Sequence, residues 1–237
     1  MSRSGPRSAA EHPSPPCALT GASRDLIVIA VESSISVRRG RPRSFDREQA
    51  LRAALRVFRE HGYEGTSMSH LQEALGGLTP PSIYAAFGSK EQLFKEATDL
   101  YVSTRRSQAE HEMASATTAR DAIEAMLRCA VMGSTEAGEP RGCFLVQGAI
   151  ACSASGEGAQ QYMHGFRVAE QRAILKRLKA AVAGGELPAG TNVQAMAQFY
   201  TTFTRGIAIQ ARDGATRASL MDAVDCAMAA WDSLTKG

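Results

Sequence analysis

Between Asp46 and Ser89 the chain sets a helix start against a helix stop several times in quick succession, and nothing constrains its fold more. Asp46 is placed to cap a helix from Arg47 to His61, whose apolar positions Ala50, Leu51, Ala54, Leu55 and Phe58 recur on one face. Gly62 ends it as a left-handed C-terminal glycine. In "TSMSHLQEALGG", Ser67 or Ser69 caps a second, short helix. Ser69 with Gln72 fits a capping box, and Met68, Leu71, Ala74 and Leu75 supply the buried face. Gly76 and Gly77 make a turn. In "LTPPSIYAAF" two prolines open a third helix, in the turn whose N–H groups lack partners anyway. Pro81 disfavours α geometry at Pro80, so the first helical residue is expected at Pro81. Gly88 follows the last residue, Phe87. Ser89 caps a fourth helix, expected over Lys90–Arg105, Gln92 completes a second capping box, and Leu93, Ala97, Leu100 and Tyr101 turn inward.

The remainder also reads as helical: alanine is abundant and β-branched runs are few. The polar stretch "RRSQAEHEMASATTARD" marks a boundary, dividing the chain into an extension (1–37), a first domain (38–104) and a second (105–237). Beyond it, a helix is expected over Ala119–Met132, with Ile123, Met126, Leu127 and Ala130 aligned. "GCFLVQGAIAC" is apolar around its whole circumference and should be buried. Long helices follow over Gly158–Ala183, Asn192–Ala211 (capped by Thr191) and Arg217–Leu234 (capped by Thr216). The last two are antiparallel and carry small residues suited to close packing. The fold class is therefore all-α: an N-terminal three-helix domain, a linking helix and a larger helical domain. Residues 1–37, rich in Pro, Ser, Gly and Ala without helical period, are expected to be disordered. Their apolar run "LIVIAV" is too short for a membrane span or a signal-peptide core.

Several function classes drop out. The five cysteines are odd in number, widely spaced and without a CxxC pair, which fits neither a disulfide framework nor a zinc site and suits a reducing cytoplasm. No metal or cofactor is expected. "HEMAS" lacks the second histidine of a zinc-protease helix. Nucleophile elbow, P-loop and dinucleotide fingerprint are all absent, so the chain does not read as an enzyme. One thiol alternative stays open: Cys143 or Cys152 as an electrophile-sensing group, Cys143 standing where a helix N-terminus could lower its pKa. Another is a helical interaction protein with a degenerate DNA-binding domain.

The formal net charge of +3 is too small to imply nucleic acid by itself, but its distribution is informative. Residues 38–106 hold 12 Lys/Arg against 8 Asp/Glu, and four of the arginines (Arg38, Arg39, Arg41, Arg43) lie in an arm kept extended by Gly40 and Pro42. Such an arm can follow phosphates or enter a minor groove. "SHLQEAL", "GGLT" and "PPSIYAAF" match a helix-turn-helix, whose second helix enters the major groove. Ala85 and Ala86 let that helix sit deep, and the Tyr84 hydroxyl can reach a phosphate. Lys90 begins the next helix, where a cation opposes the dipole. That placement points to an external anion such as a DNA phosphate.

These residues carry a resemblance. Over 41–101, "FDREQALRAALRVFREHGYEGTSM", "LTPPSIYAAFGSKEQLF" and the preceding arm resemble the DNA-binding domain of the TetR family of bacterial repressors. The resemblance implies a homodimer on a palindromic operator in double-stranded DNA and a C-terminal domain that binds a small-molecule inducer and releases the DNA, with no membrane partner. By position it implies that Thr79, Pro80, Pro81 and Ser82 approach bases and phosphates, and that Tyr84, Lys90, Thr66 and Ser67 hold the backbone. Two features depart from the family pattern: Ala85-Ala86 stands where Tyr-His is common, and "GGLT" adds a residue to the turn. In the second block Met126, Cys129, Phe144, Met163, Phe166, Phe199, Tyr200 and Phe203 are candidates either for an inducer pocket or for ordinary core.

Overall fold

The computed structural model describes residues 46–236; the arginine arm and the expectation of disorder over 1–37 lie outside the described residues. Every described element is a helix. The first, α1 (Arg47–Gly65), is capped by Asp46, whose carboxylate accepts from the Glu48 and Gln49 N–H groups at 3.0 Å. Gly62 interrupts it with φ 70° and ψ 177°, outside the left-handed helical well, and one more turn follows. The reason is a close approach: the Tyr63 N–H donates to the Gly148 carbonyl at 2.7 Å, and a β-carbon on Gly62 would stand 3.3 Å from that same oxygen. The glycine thus serves a crossing point as much as a helix end.

Helix α2 (Met68–Ala74) is capped by Ser67 rather than Ser69. The reciprocal partner is His70, not Gln72: the Ser67 hydroxyl accepts from the His70 N–H at 3.1 Å, and His70 Nδ1 accepts from the Ser67 N–H at 3.3 Å. An imidazole with a free nitrogen takes the place usually given to a carboxylate. Gly76 and Gly77, both at positive φ, turn the chain into α3 (Pro80–Phe87). This helix starts one residue before the expected Pro81. The Thr79 carbonyl accepts from the Ile83 N–H at 3.0 Å, which brings Pro80 into the first turn despite the preference set by Pro81. Ser89 caps α4 by accepting from the Gln92 N–H at 3.0 Å, one half of the expected box.

Helix α4 (Lys90–Ser115) runs ten residues past the expected end at Arg105. Polarity there is not a stop: no glycine or proline interrupts the helix. Next come α5 (Ala119–Ser134), the short α6 (Phe144–Gln147), α7 (Glu157–Ala183) and α8 (Val193–Arg212). Asn192, not Thr191, caps α8, accepting from the Ala195 N–H at 3.0 Å. Thr191 is buried and donates to the Thr235 carbonyl at 3.1 Å. The expected last helix divides at Ala230 into α9 (Arg217–Ala229) and α10 (Trp231–Thr235). "GCFLVQGAIAC" is largely buried, but Ile150 is 51% exposed.

Two apolar cores result. One joins α1–α4 and is centred on Phe94, which meets Phe58, Tyr63 and Phe144 edge-on at ring distances of 5.1, 5.0 and 5.4 Å. It also takes in Ala149, Ala159 and Met163 from the far side of the expected boundary. The other joins α5, α7, α8, α9 and α10 around Ile123, Leu178, Tyr200 and Trp231. Among the described residues no helix is long and apolar enough to cross a membrane.

Candidate nucleic-acid interface and effector cavity

Helix α3 divides cleanly by face. Ile83 and Phe87 are buried in the first core, while Pro81, Ser82, Tyr84 and Ala85 are exposed. Burial of two large side chains fixes the rotation of a helix that would not be stable alone. Arg47 on α1 secures its far end: the guanidinium lies 4.8 Å from the Phe87 ring, donates to the Ala86 carbonyl at 3.4 Å and pairs with Glu96 of α4 at 2.6 Å. His61 and His70 stack at 4.5 Å and tie α2 to α1. Neither Arg47 nor the histidine pair was marked by sequence reasoning. Their roles depend on helix crossings that periodicity does not encode.

The outward side of α3 then carries the expected groups. Thr79 Oγ1 and Ser82 Oγ lie 3.0 Å apart at its start, and Tyr84 is 45% exposed a turn later. Ser67 is exposed at the α2 cap, whereas Thr66 is placed differently. It is 1% exposed, and its hydroxyl donates to the Gly62 carbonyl at 2.6 Å, which leaves it packing the kink rather than facing outward. Lys90 is half-buried with Nζ 4.5 Å from the Tyr63 ring centroid. Desolvation there lowers its pKa, opposed by Glu64 and Cys152. Two short helices joined by a glycine turn, the second presenting a hydroxyl-rich face from a rigid support, define a helix-turn-helix DNA-binding head.

In the second half, α4, α5, α7, the segment around α6, Thr204 of α8 and Arg217 of α9 line a partly open cavity of about 520 Å3. Three candidate residues line it: Met126, Cys129 and Phe166. The others stand elsewhere. Phe144 and Met163 complete the first core, Tyr200 is fully buried in the second, Phe203 packs against that core, and Phe199 is 38% exposed. Burial was legible from their apolarity, but which core they fill was not. The lining also includes Tyr101, Met113, Met132 and Cys143, with the Arg105–Glu136 ion pair at its edge. Burial, with Glu170 adding to it, pushes the Cys143 thiol up, and desolvation does the same at Cys152. Both shifts oppose thiolate formation, at Cys152 against the pull of Lys90 and Arg167.

The loop between α5 and α6 connects this cavity to the DNA-binding head. Arg59 of α1, its side chain 5% exposed, pairs with Glu139 and donates to the Pro140 carbonyl at 2.8 Å. Arg56 reaches the same carboxylate at 3.0 Å. Glu64 accepts from both the N–H and the hydroxyl of Ser153 at 2.8 Å, just ahead of α7.

Comparison with known proteins agrees with the class set by this geometry. A family model described as "Bacterial regulatory proteins, tetR family" matches residues 50–97. The HTH-type transcriptional repressor ComR of Escherichia coli (strain K12) is 31% identical over 205 residues, covering 84% of this chain and 94% of ComR. The repressor BdcR from the same strain is 28% identical, over 74% of this chain and 83% of its own. Among solved structures, the TetR family regulator CifR, as a cysteine mutant with 26-bp operator DNA, is 37% identical with a TM-score of 0.76, covering 81% of this chain and 100% of that one. The chain belongs to the TetR family of DNA-binding transcriptional regulators.

Proposed function

We propose that this protein is a cytoplasmic, homodimeric repressor whose paired α3 helices enter successive major grooves of a palindromic operator, and that a small molecule in the 520 Å3 cavity releases it. The observation that carries the reading is the division of α3, with Ile83 and Phe87 locked inside and Thr79, Ser82 and Tyr84 presented outward. Thr79, Pro80, Pro81, Ser82, Ser67 and Tyr84 form the proposed contact surface on this chain, with Arg38, Arg39, Arg41 and Arg43 adding phosphate contacts. Lys90 would swing from the Tyr63 ring to a phosphate. Met126, Cys129 and Phe166 are the proposed effector contacts.

Dimerisation through α8 and α9 is supported by an outward stripe on α8: Phe199 and Ile209, 38% and 42% exposed, flank Gly206, whose β-carbon position is open. A partner's helix could approach closely there. Ile209→Asp is expected to yield monomers by light scattering, and a dimer of unchanged mass would place the interface elsewhere. Release would follow if a bound ligand moved α4 and the 136–143 loop, so that two α3 helices no longer spanned the roughly 34 Å between successive major grooves.

A gel shift with the DNA upstream of the protein's own coding sequence tests the reading. No retardation at low salt by a folded dimer would sink it. Lys90→Ala is expected to weaken operator and random DNA alike and to flatten the log–log salt dependence by about 0.9 for each phosphate it no longer neutralises. An unchanged slope would confine Lys90 to its contact with Tyr63.

A further inference from the structure

Resting on the reading of the cavity as an effector site, we propose that its ligand is an uncharged, mainly aromatic molecule with one acceptor oxygen, seated so that this oxygen meets the Tyr101 hydroxyl. Three observations lead there.

The first is charge. Arg105 at the rim is paired with Glu136. Arg217 donates from Nε and Nη2 to the hydroxyl and carbonyl of Thr135, both at 2.9 Å. Glu170 is engaged within the protein. Two arginines and two carboxylates line the wall, so it offers a charged ligand no net counter-charge in return for its lost hydration.

The second is the wall's softness. Met113, Met126, Met132 and Cys129 face the same space. Thioethers are polarizable, rotate freely and make favourable contacts at aromatic ring edges. Such a lining adapts to a flat ring more readily than to a branched, hydrated group.

The third sets the polar group. Tyr101 is 7% exposed, yet its hydroxyl donates to Cys143 Sγ at 3.7 Å, a long bond to a weak acceptor. Burial keeps the phenol protonated, so it remains a donor. Its ring cannot turn away: it meets Phe144 edge-on at 5.5 Å and carries the Arg59 guanidinium over its face at 5.5 Å. A carbonyl or ether oxygen would replace a poor partner by a good one at no cost in ordering. Arg59 also holds Glu139, so the ligand's oxygen would sit one residue away from the clamp on the DNA-binding head.

Calorimetric titration of the full-length dimer with benzophenone, its hydrocarbon counterpart diphenylmethane and the charged 4-benzoylbenzoate tests this. Benzophenone should bind one per protomer, about tenfold more tightly than diphenylmethane, the factor one ordinary hydrogen bond supplies. The carboxylate should bind more weakly than either. Tyr101→Phe should erase the advantage of benzophenone and leave diphenylmethane unchanged. Cys143→Ser, which offers the phenol a better internal acceptor, should lower benzophenone binding alone. Ala130→Phe, which fills the cavity, should remove all three. Equal or tighter binding of 4-benzoylbenzoate, or a benzophenone advantage that survives both Tyr101→Phe and Cys143→Ser, overturns the ligand class. Operator gel shifts with saturating benzophenone separate the two ideas. Bound ligand with undiminished operator affinity counts against the effector role and not the class, whereas release by the carboxylate alone keeps the role and overturns the class.

Discussion

The two halves of the molecule solve packing in opposite ways. The DNA-binding half gathers Phe58, Tyr63, Phe94 and Phe144 into edge-on contacts with Phe94 fully buried at the centre. The second half keeps a partly open cavity of about 520 Å3 lined by methionine side chains. A close-packed core has one arrangement and transmits displacement as a unit, whereas a cavity with flexible walls can be occupied or relaxed. The contrast teaches where each task belongs. The surface that reads DNA is supported by the stiff half, and the proposed effector site lies where the second half leaves space beside its own core.

Substitution can break that contrast directly. Phe94→Ala removes the centre of the aromatic cluster and is expected to cost about 3–5 kcal/mol in urea unfolding, while Met126→Ala, beside existing space, should cost about 2 kcal/mol. Equal losses would mean that the two cores are equally dense. Glu139→Ala tests the joint between the halves. It leaves the buried Arg59 guanidinium with the Pro140 carbonyl and the Tyr101 ring but no carboxylate, and about 3 kcal/mol should be lost, the low end for breaking a buried pair. A loss no larger than an exposed pair gives would show that the halves are not held together there.

The smallest effect concerns pH. Burial raises the Cys143 thiol above its ordinary value. The folded state therefore holds this proton more firmly than the unfolded chain does. The associated stability is fully present below the unfolded pKa of about 8.5 and is lost as pH rises through the folded value. Cys143→Ala should flatten the alkaline decline of stability above about pH 8.5. The same slope in both proteins would mean that the seam between the halves admits water freely.

Much of the DNA-binding half was legible in the sequence because its signals are local. Asp46, Ser89, Gly76, Gly77 and the proline pair act within a turn of their own position, and the structure uses each of them. The misses have a common cause. Ser67, one of the two caps offered, is used, but the box expected of Ser69 with Gln72 is not: His70 returns the bond, a role that the usual pattern gives to Glu or Gln. Thr66 turned inward because the kink at Gly62 offered it a carbonyl. In the sensing half, apolarity marked Phe144 and Met163 for burial, but a residue facing a neighbour and one facing a void carry the same periodic signal. The sequence marks Tyr101 only as an inward residue of α4; the placement of Cys143 across from it turns that position into a donor at a cavity wall.

One contact bears on the order in which the chain is made. Arg212, the last residue of α8, donates to the carbonyls of Arg59 and Glu60 at 3.1 and 2.5 Å, closing the end of α1 just before its kink. Phe144 and Met163 close the first core from equally late positions. On the ribosome, where residues emerge at roughly 5–20 per second, the head of this protein therefore stays unfinished for several seconds after its own sequence has been translated. Until then the nascent head lacks the Arg212 bonds that close the end of α1 and the two side chains that complete its core.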